Sequence, residues 1–362
     1  MKNTRKVIRN IILFIALIIL TFTIILKDTD YKEIIFAFSN VRRKYIAVAI
    51  MAMCLYLACD AINIGRTLKA LGEKSNFWQN LKYSLIGFFY SSITPAASGG
   101  QPMQVYYMHK DNLKVANSTL TLLINLSCIQ VVTLSIAFIS LFFNYEYMNP
   151  ALITFFIIGV GLNGSALALL LISIYSRRVS KWIINFAIKV LKFFKIKNIE
   201  DKRIKYQGEL ARYQESAKYA RNNKKLILKT LLTTYVEFIA FYSVSYWVYR
   251  SLGFSEHNIL KVITMQSILF ATVSGIPSPG AVGVSEGGFI AIFSHIYSEN
   301  ITNSAMLITR GVSFYLFVFI SMIIVMIYTI KDKKQEKIKE LGKNDLNITN
   351  EEKSWKKYNN VI

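Results

Sequence analysis

Four charged side chains stand inside long apolar runs of this 362-residue chain: Asp60, Glu237, Glu286 and Arg310. A charge in hydrocarbon costs several kcal/mol unless it is paired or protonated, so each of the four marks a candidate site. Glu286 lies in "SGIPSPGAVGVSEGGF" and Arg310 in "NSAMLITRGVSFYLF", which makes them natural partners. Two readings follow. Either Glu286 is a functional carboxylate with Arg310 as its partner, or the two form an ion pair that locks the local fold. Asp60 shares a helix face with Asn63, three residues on, and Arg66 is close by, which favours a structural role. Glu237, in "TTYVEFIAFYSVSYW", lies deeper, and the sequence names no partner for it.

Chemistry of another kind is carried by two breaks. "TPAASGGQP" contains Thr94, Pro95, Gly99, Gly100, Gln101 and Pro102; "IPSPGAVGVSEGG" contains Pro277, Pro279, Gly280, Gly283, Glu286, Gly287 and Gly288. Proline disfavours helix at the residue before it, and glycine allows turns and close approach to the main chain. Irregular backbone at membrane depth is tolerated only where protein or a wet cavity satisfies its amides. Free N–H groups at the start of the helix after the first break would favour an anion such as a lipid phosphate. Gly283 and Gly287, four apart, predict close helix approach.

The remaining polar groups carry less. His109 and His257 read as loop residues and His295 ends an apolar stretch, while Asn125 and Gln130 suit helix-to-helix hydrogen bonds. Cys54, Cys59 and Cys128 sit in apolar runs without CxxC spacing and read as small buried hydrophobes, so no disulfide and no metal site is expected. Phosphate-loop, HExxH and dinucleotide-binding signatures are absent, which argues against nucleotide hydrolysis and against a soluble catalytic domain. No cofactor is expected.

These residues must be positioned by membrane helices. Hydrophobic residues make up 53% of the chain, and runs such as 11–26 and 313–330 approach the length that spans hydrocarbon. The run at 11–26 follows a basic start without a small-residue cleavage site and reads as a retained helix. Net charge is +22, yet 34 of the 43 Lys and Arg fall in 1–10, 66–82, 109–114, 177–225 and 331–362, which places those segments and both termini on the cytoplasmic side of a bacterial-type plasma membrane. The cluster at 27–44, with five basic residues and three acids, then falls outside.

That topology predicts full spans at about 11–26, 45–65, 116–143, 150–175, 226–249 and 304–330. The broken segments 78–112 and 259–299 must each enter and leave on one side, the first from the cytoplasm and the second from outside. The expected fold is all-α: a polytopic bundle of six spans with two oppositely oriented re-entrant hairpins, as in inverted repeats. Two proline-kinked helix pairs are the plainer alternative. The division is 1–176 for the first membrane half, 177–225 for a basic linker, 226–330 for the second half and 331–362 for a charged tail. Within the linker, Trp182, Ile183, Phe186, Val190, Phe193 and Phe194 oppose Lys181, Lys189, Lys192 and Lys195, the pattern of a helix lying in an anionic interface. Tyr206, Leu210, Tyr213, Ala217 and Ala220 then space a second short helix.

At its two breaks the chain resembles the lysylphosphatidylglycerol synthase transmembrane family, also called flippase-like proteins. The resemblance rests on "TPAASGGQP", on "PSPGAVGVSEGG", and on Arg310 with Tyr315, and it covers about residues 5–330. It implies a module that, in full-length multiple-peptide-resistance proteins, moves aminoacylated phosphatidylglycerol between leaflets and so weakens attraction of cationic antimicrobial peptides. There a separate cytoplasmic domain transfers lysine from lysyl-tRNA to the lipid. This chain ends about thirty residues after its last span, so the resemblance implies the membrane module without that transferase, and it lacks a proline that relatives often carry soon after Tyr315.

The leading expectation is a lipid translocator for phosphatidylglycerol or lysylphosphatidylglycerol, with substrate contacts at Thr94, Pro95, Gly99, Gly100, Gln101, Pro277, Pro279, Gly280, Gly283, Glu286, Gly287, Arg310, Tyr315 and Glu237. The alternatives are the membrane subunit of a phosphatidylglycerol lysyltransferase working with a separate soluble enzyme, a translocator of a polyprenyl-linked sugar, and a non-transporting scaffold. Direct nucleic-acid binding is not expected; a homo-oligomer is open.

Overall fold

The computed structural model describes residues 39, 41–193, 203–276 and 278–330. Among them every regular element is helical. The expected span at 11–26, most of the 27–44 segment, Pro277, Phe194, Lys195 and the tail lie outside the described residues, as does the side chain of Tyr206. Five helices are long and apolar enough to cross a bilayer: α1 (Arg43–Ala70), α4 (Val115–Asn144), α5 (Pro150–Tyr175), α8 (Lys224–Ser251) and the apolar stretch Ile301–Ile330 of α11. They coincide with the five expected spans that fall within the described residues. The last begins as Glu299–Arg310, passes through a π-helical turn at Gly311–Tyr315 and continues over 316–330.

Asparagine starts four of the helices. The side-chain oxygens of Asn76, Asn149, Asn223 and Asn258 accept the backbone N–H of the residue three further on at 2.8–3.0 Å. Each satisfies one of the amides that a helix start leaves without a partner. The helices so begun are α2 (Phe77–Ser92), α5, α8 and α9 (Ile259–Val273).

The two broken segments are helix–break–helix hairpins. The first joins α2 to α3 (Gly100–Lys110) and the second joins α9 to α10 (Val284–Phe293). Their directions follow from the α1–α8 pair, which packs antiparallel along its length: Arg42 N–H meets Ser251 O at 2.9 Å at one end, and Arg66 reaches Lys229 O at 2.8 Å at the other. The first hairpin leaves from the Ala70 end of α1 and the second from the Ser251 end of α8. They therefore enter from opposite ends of the bundle, and their tips touch.

The linker forms α6 (Arg177–Phe193) and α7 (Arg203–Asn222). Tyr213, Ala217 and Ala220 of α7 are buried against Ala116, Leu120 and Ile124 of α4, so the expected second short helix is packed. The apolar side of α6 divides: Ser180, Ile184 and Ala187 face the protein, whereas Trp182 and Phe186 stay exposed and stack at 5.8 Å.

Candidate functional site

The tips repeat one backbone motif. Thr94-Pro95-Ala96-Ala97 and Ser278-Pro279-Gly280-Ala281 both begin extended, at φ/ψ of −123/142° and −109/146°. Both then turn left-handed, at φ of 51° and 52° for Ala96 and Ala97 and 60° and 53° for Gly280 and Ala281. The same amides close both turns: Ala97 N–H to Thr94 O and Ala281 N–H to Ser278 O, each at 3.2 Å, and likewise Ser98 to Pro95 and Val282 to Pro279, each at 3.2 Å. Proline at the first turn position fixes φ near −65° and gives up no bond there, because its amide has no partner to meet.

Of the two parts its pattern predicts, turn and close approach, glycine at the first tip plays the second. Gly99 is not left-handed, with φ −87°, and the strained positions of the first tip belong to alanines. A Cβ on Gly99 would stand 2.7 Å from Thr94 Cγ2, and one on Gly100 would run into the Ser91 side chain. These glycines let α3 start close against α2. Gly287, predicted to sit at a close helix contact, faces open space; the close approach falls at Gly159 of α5, where a Cβ would lie 2.7 Å from Thr272 Cα of α9. Asn163, one turn along, seals that contact by donating to Ala271 O at 3.1 Å and Ser274 Oγ at 3.0 Å.

The second tip is held by charge. Glu286 is fully buried; its Oε2 accepts Gly283 N–H at 2.7 Å, and its Oε1 accepts Arg310 Nε at 2.8 Å and Tyr315 O–H at 2.9 Å. Arg310 also donates through Nη2 to Gly280 O at 3.1 Å and lies 4.2 Å from the centre of the Phe314 ring. A carboxylate at a helix N-terminus meets the positive end of the helix dipole, and a paired arginine satisfies it further. The π-turn that follows Arg310 carries both Phe314 and Tyr315, whose rings flank the guanidinium. Every bond recorded for Glu286 is internal to this clamp.

Among the described residues the first tip has no such clamp. Thr94 Oγ1 donates to Tyr90 O at 2.6 Å and accepts Gly99 N–H at 2.9 Å, so one of the helix-start amides expected to be free for an anion is already used. Charge gathers instead at the hairpin's base: Lys82, only 8% exposed, pairs with Asp111, which also accepts Tyr83 O–H at 2.5 Å and Gln79 Nε2 at 3.3 Å. The Lys82 ammonium sits 4.9 Å from the Tyr328 ring, which ties this base to α11. By sequence Lys82 groups with the cytoplasmic charges of 66–82; the signal that it faces inward is helical spacing, since Leu85 and Ile86 stand three and four residues on.

Asp60 and Glu237 meet in a different place. A cavity of about 140 Å³ opens between the first hairpin and spans α1, α4 and α8, and both carboxylates line it, together with Tyr56, Ser84, Gln101 and Asn125. Of the expected site residues, Gln101 and Glu237 reach this cavity. Pro279, Gly280, Gly283, Glu286, Arg310 and Tyr315 belong to the second tip and Thr94, Pro95, Gly99 and Gly100 to the first, while Gly287 points away from both. Asp60 lies in the cavity with Glu237, while Arg66 donates to Asn63 Oδ1 at 2.8 Å, Lys229 O at 2.8 Å and Thr233 Oγ1 at 2.9 Å. Asn63 in turn donates to Thr234 Oγ1 at 3.0 Å and approaches Glu237 Oε2 at 3.5 Å. His109 sits in the last turn of α3 rather than in a loop. Cys59 and Cys128 are buried and Cys54 is exposed, all three as free thiols.

Comparison with known proteins returns one family description, the lysylphosphatidylglycerol synthase TM region, matched over residues 10–321. A UPF0104 membrane protein of Pyrococcus horikoshii is 24% identical over 284 residues, covering 75% of this chain and 84% of that protein. A UPF0104 membrane protein of Archaeoglobus fulgidus is 24% identical over 274 residues, covering 73% and 80%.

Proposed function

This chain belongs to the lysylphosphatidylglycerol synthase transmembrane family, and from that footing we propose that it is a multi-pass translocator that carries a phospholipid head group, phosphatidylglycerol or its lysylated form, between leaflets. One observation carries the reading: two proline-centred breaks of matching backbone conformation enter from opposite ends of the bundle and meet at their tips. Broken helices of this kind, placed at corresponding points of two halves, are how membrane transporters expose main-chain donors and acceptors at midplane. A head group could then be handed from one tip to the other without crossing continuous hydrocarbon.

Beside the first tip the cavity offers carboxylates and amides to a polar group, and Gln101 stands between tip and cavity. Placement in a cell membrane with both termini cytoplasmic is supported by the 34 Lys and Arg that gather in segments assigned to that side.

The test is leaflet exchange in liposomes reconstituted with the full chain, using head-group-labelled phosphatidylglycerol and lysylphosphatidylglycerol. Wild type should exchange at least one lipid faster than empty liposomes, and Gln101→Leu, a half-buried position whose change leaves both tips intact, should slow it. Exchange no faster than in empty liposomes for either lipid would refute the reading in favour of a scaffold or an enzyme subunit.

A further inference from the structure

We propose that the cavity between Asp60 and Glu237 is a binding site for a monovalent cation, either an inorganic ion or the ammonium end of a lipid head group. Its lining supplies two carboxylates from adjacent spans, amide groups of Gln101, Gln104 and Asn125, and hydroxyls of Tyr56, Ser84 and Ser91; among the described residues no Lys, Arg or His lines it. Glu237 is 1% exposed; among the described residues its Oε1 has no hydrogen-bond partner and its Oε2 has only the long contact with Asn63 at 3.5 Å. A carboxylate so enclosed requires a counter-charge or a proton.

Among the described residues no basic side chain supplies that charge at the cavity. Arg66, one and a half turns along α1 from Asp60, commits its guanidinium to Asn63, Lys229 and Thr233. Asn125, 5% exposed, lines the same cavity with an Nδ2 that has no partner among the described residues, a donor that hydration water carried in with an ion would meet. The volume admits several water-sized groups, enough for a partly hydrated ion or the tip of an alkylammonium chain. Divalent binding is the poorer fit, since calcium and magnesium sites need more or better-converged oxygen ligands, and no cluster of three acidic, His or Cys residues is present among the described residues.

The ammonium form of this inference rests on the translocation reading; the inorganic form does not. To test it, the full chain is held in nanodiscs of phosphatidylcholine at constant ionic strength with N-methylglucamine chloride, and this large cation is replaced stepwise by sodium, potassium or methylammonium. A ligand that binds only the folded state raises the thermal midpoint in proportion to the logarithm of its concentration, roughly 3 °C or more at a hundredfold excess over Kd. The rise is expected for wild type and should vanish in Glu237→Gln and shrink in Asp60→Asn.

Removing an unpaired buried charge can itself stabilise Glu237→Gln, so the readout is the dependence on cation, not the starting midpoint. A rise with sodium or potassium assigns the site to an inorganic ion, and a rise with methylammonium alone assigns it to a head group. A flat response to all three in wild type, or an equal rise in Glu237→Gln, overturns the proposal. Leaflet exchange read on the same protein in liposomes separates the two ideas: lipid movement without a cation response sinks only this site, and a cation response without lipid movement sinks only the translocator.

Discussion

Arg310 Nε lies 2.8 Å from Glu286 Oε1, and the same guanidinium reaches Gly280 O at 3.1 Å, so one side chain of α11 holds both sides of the second tip. Removing one member of a buried pair strands the other, at a cost of about 3–5 kcal/mol, whereas replacing both by apolar residues of similar size is often neutral. Arg310→Ala should therefore lower the thermal midpoint strongly, and Glu286→Met with Arg310→Met should recover most of the loss. Additive losses in this double-mutant cycle would show that the pair is not the clamp described. Arg310→Lys should restore little, because a single ammonium cannot reach both Glu286 and Gly280.

Two glycines should respond in opposite directions to alanine. Gly287, in open space on α10, should gain up to about 1 kcal/mol from better helix propensity. Gly159, whose Cβ would press on the α9 backbone, should lose roughly 1–3 kcal/mol by overpacking. Melting curves of the two variants in one detergent check both signs, and equal shifts would sink the packing assignment.

Gly280 combines two demands, a φ of 60° and a neighbouring Phe314 ring that a Cβ would strike. Gly280→Ala should cost stability, and adding Phe314→Leu should return only the steric part, leaving about 1 kcal/mol for the left-handed backbone. Full recovery would mean that the backbone conformation is not strained. Ala96→Gly at the matching position of the first tip should stabilise the protein by a similar amount.

The exposed face of α6 predicts dependence on membrane charge. Arg177, Arg178, Lys181, Lys189 and Lys192 are all exposed alongside Trp182 and Phe186, and this helix carries no acidic residue. Basic residues near an anionic bilayer contribute about 1 kcal/mol each, screened by salt. Hydrogen exchange over 177–193 should slow as phosphatidylglycerol is added to neutral nanodiscs, and Lys181→Gln with Lys189→Gln and Lys192→Gln should remove the effect. Protection independent of lipid charge would contradict this role.

Much of this architecture was legible because hydrocarbon imposes simple rules. Span lengths, the hairpin character of 78–112 and 259–299, and the pairing of Glu286 with Arg310 all followed from apolar length, interruptions and the cost of a lone charge. The packed face of α7 followed from spacing alone, and the asparagine caps were available to it. What sequence could not give was convergence. Asp60 and Glu237 are 177 positions apart, and only the antiparallel seam between α1 and α8 brings them to one cavity. The role of Gly287 was misjudged for the same reason: whether a missing Cβ serves a turn or a neighbour depends on what stands opposite. Gly287 and Gly159 look alike in sequence and differ only in their surroundings.

The matching of the two tips is backbone-deep, but what fastens them is not matched. The second is bolted by a buried carboxylate, a guanidinium and a phenol, while the first is latched by a threonine hydroxyl and by one long bond from Ser91 Oγ to Ala97 O at 3.4 Å. Neutral bonds of this kind contribute about 1 kcal/mol each, so the two ends of a near-symmetric machine differ in stiffness. In mechanical terms the second tip is expected to be the stiffer of the two and the first, around Thr94, the more compliant.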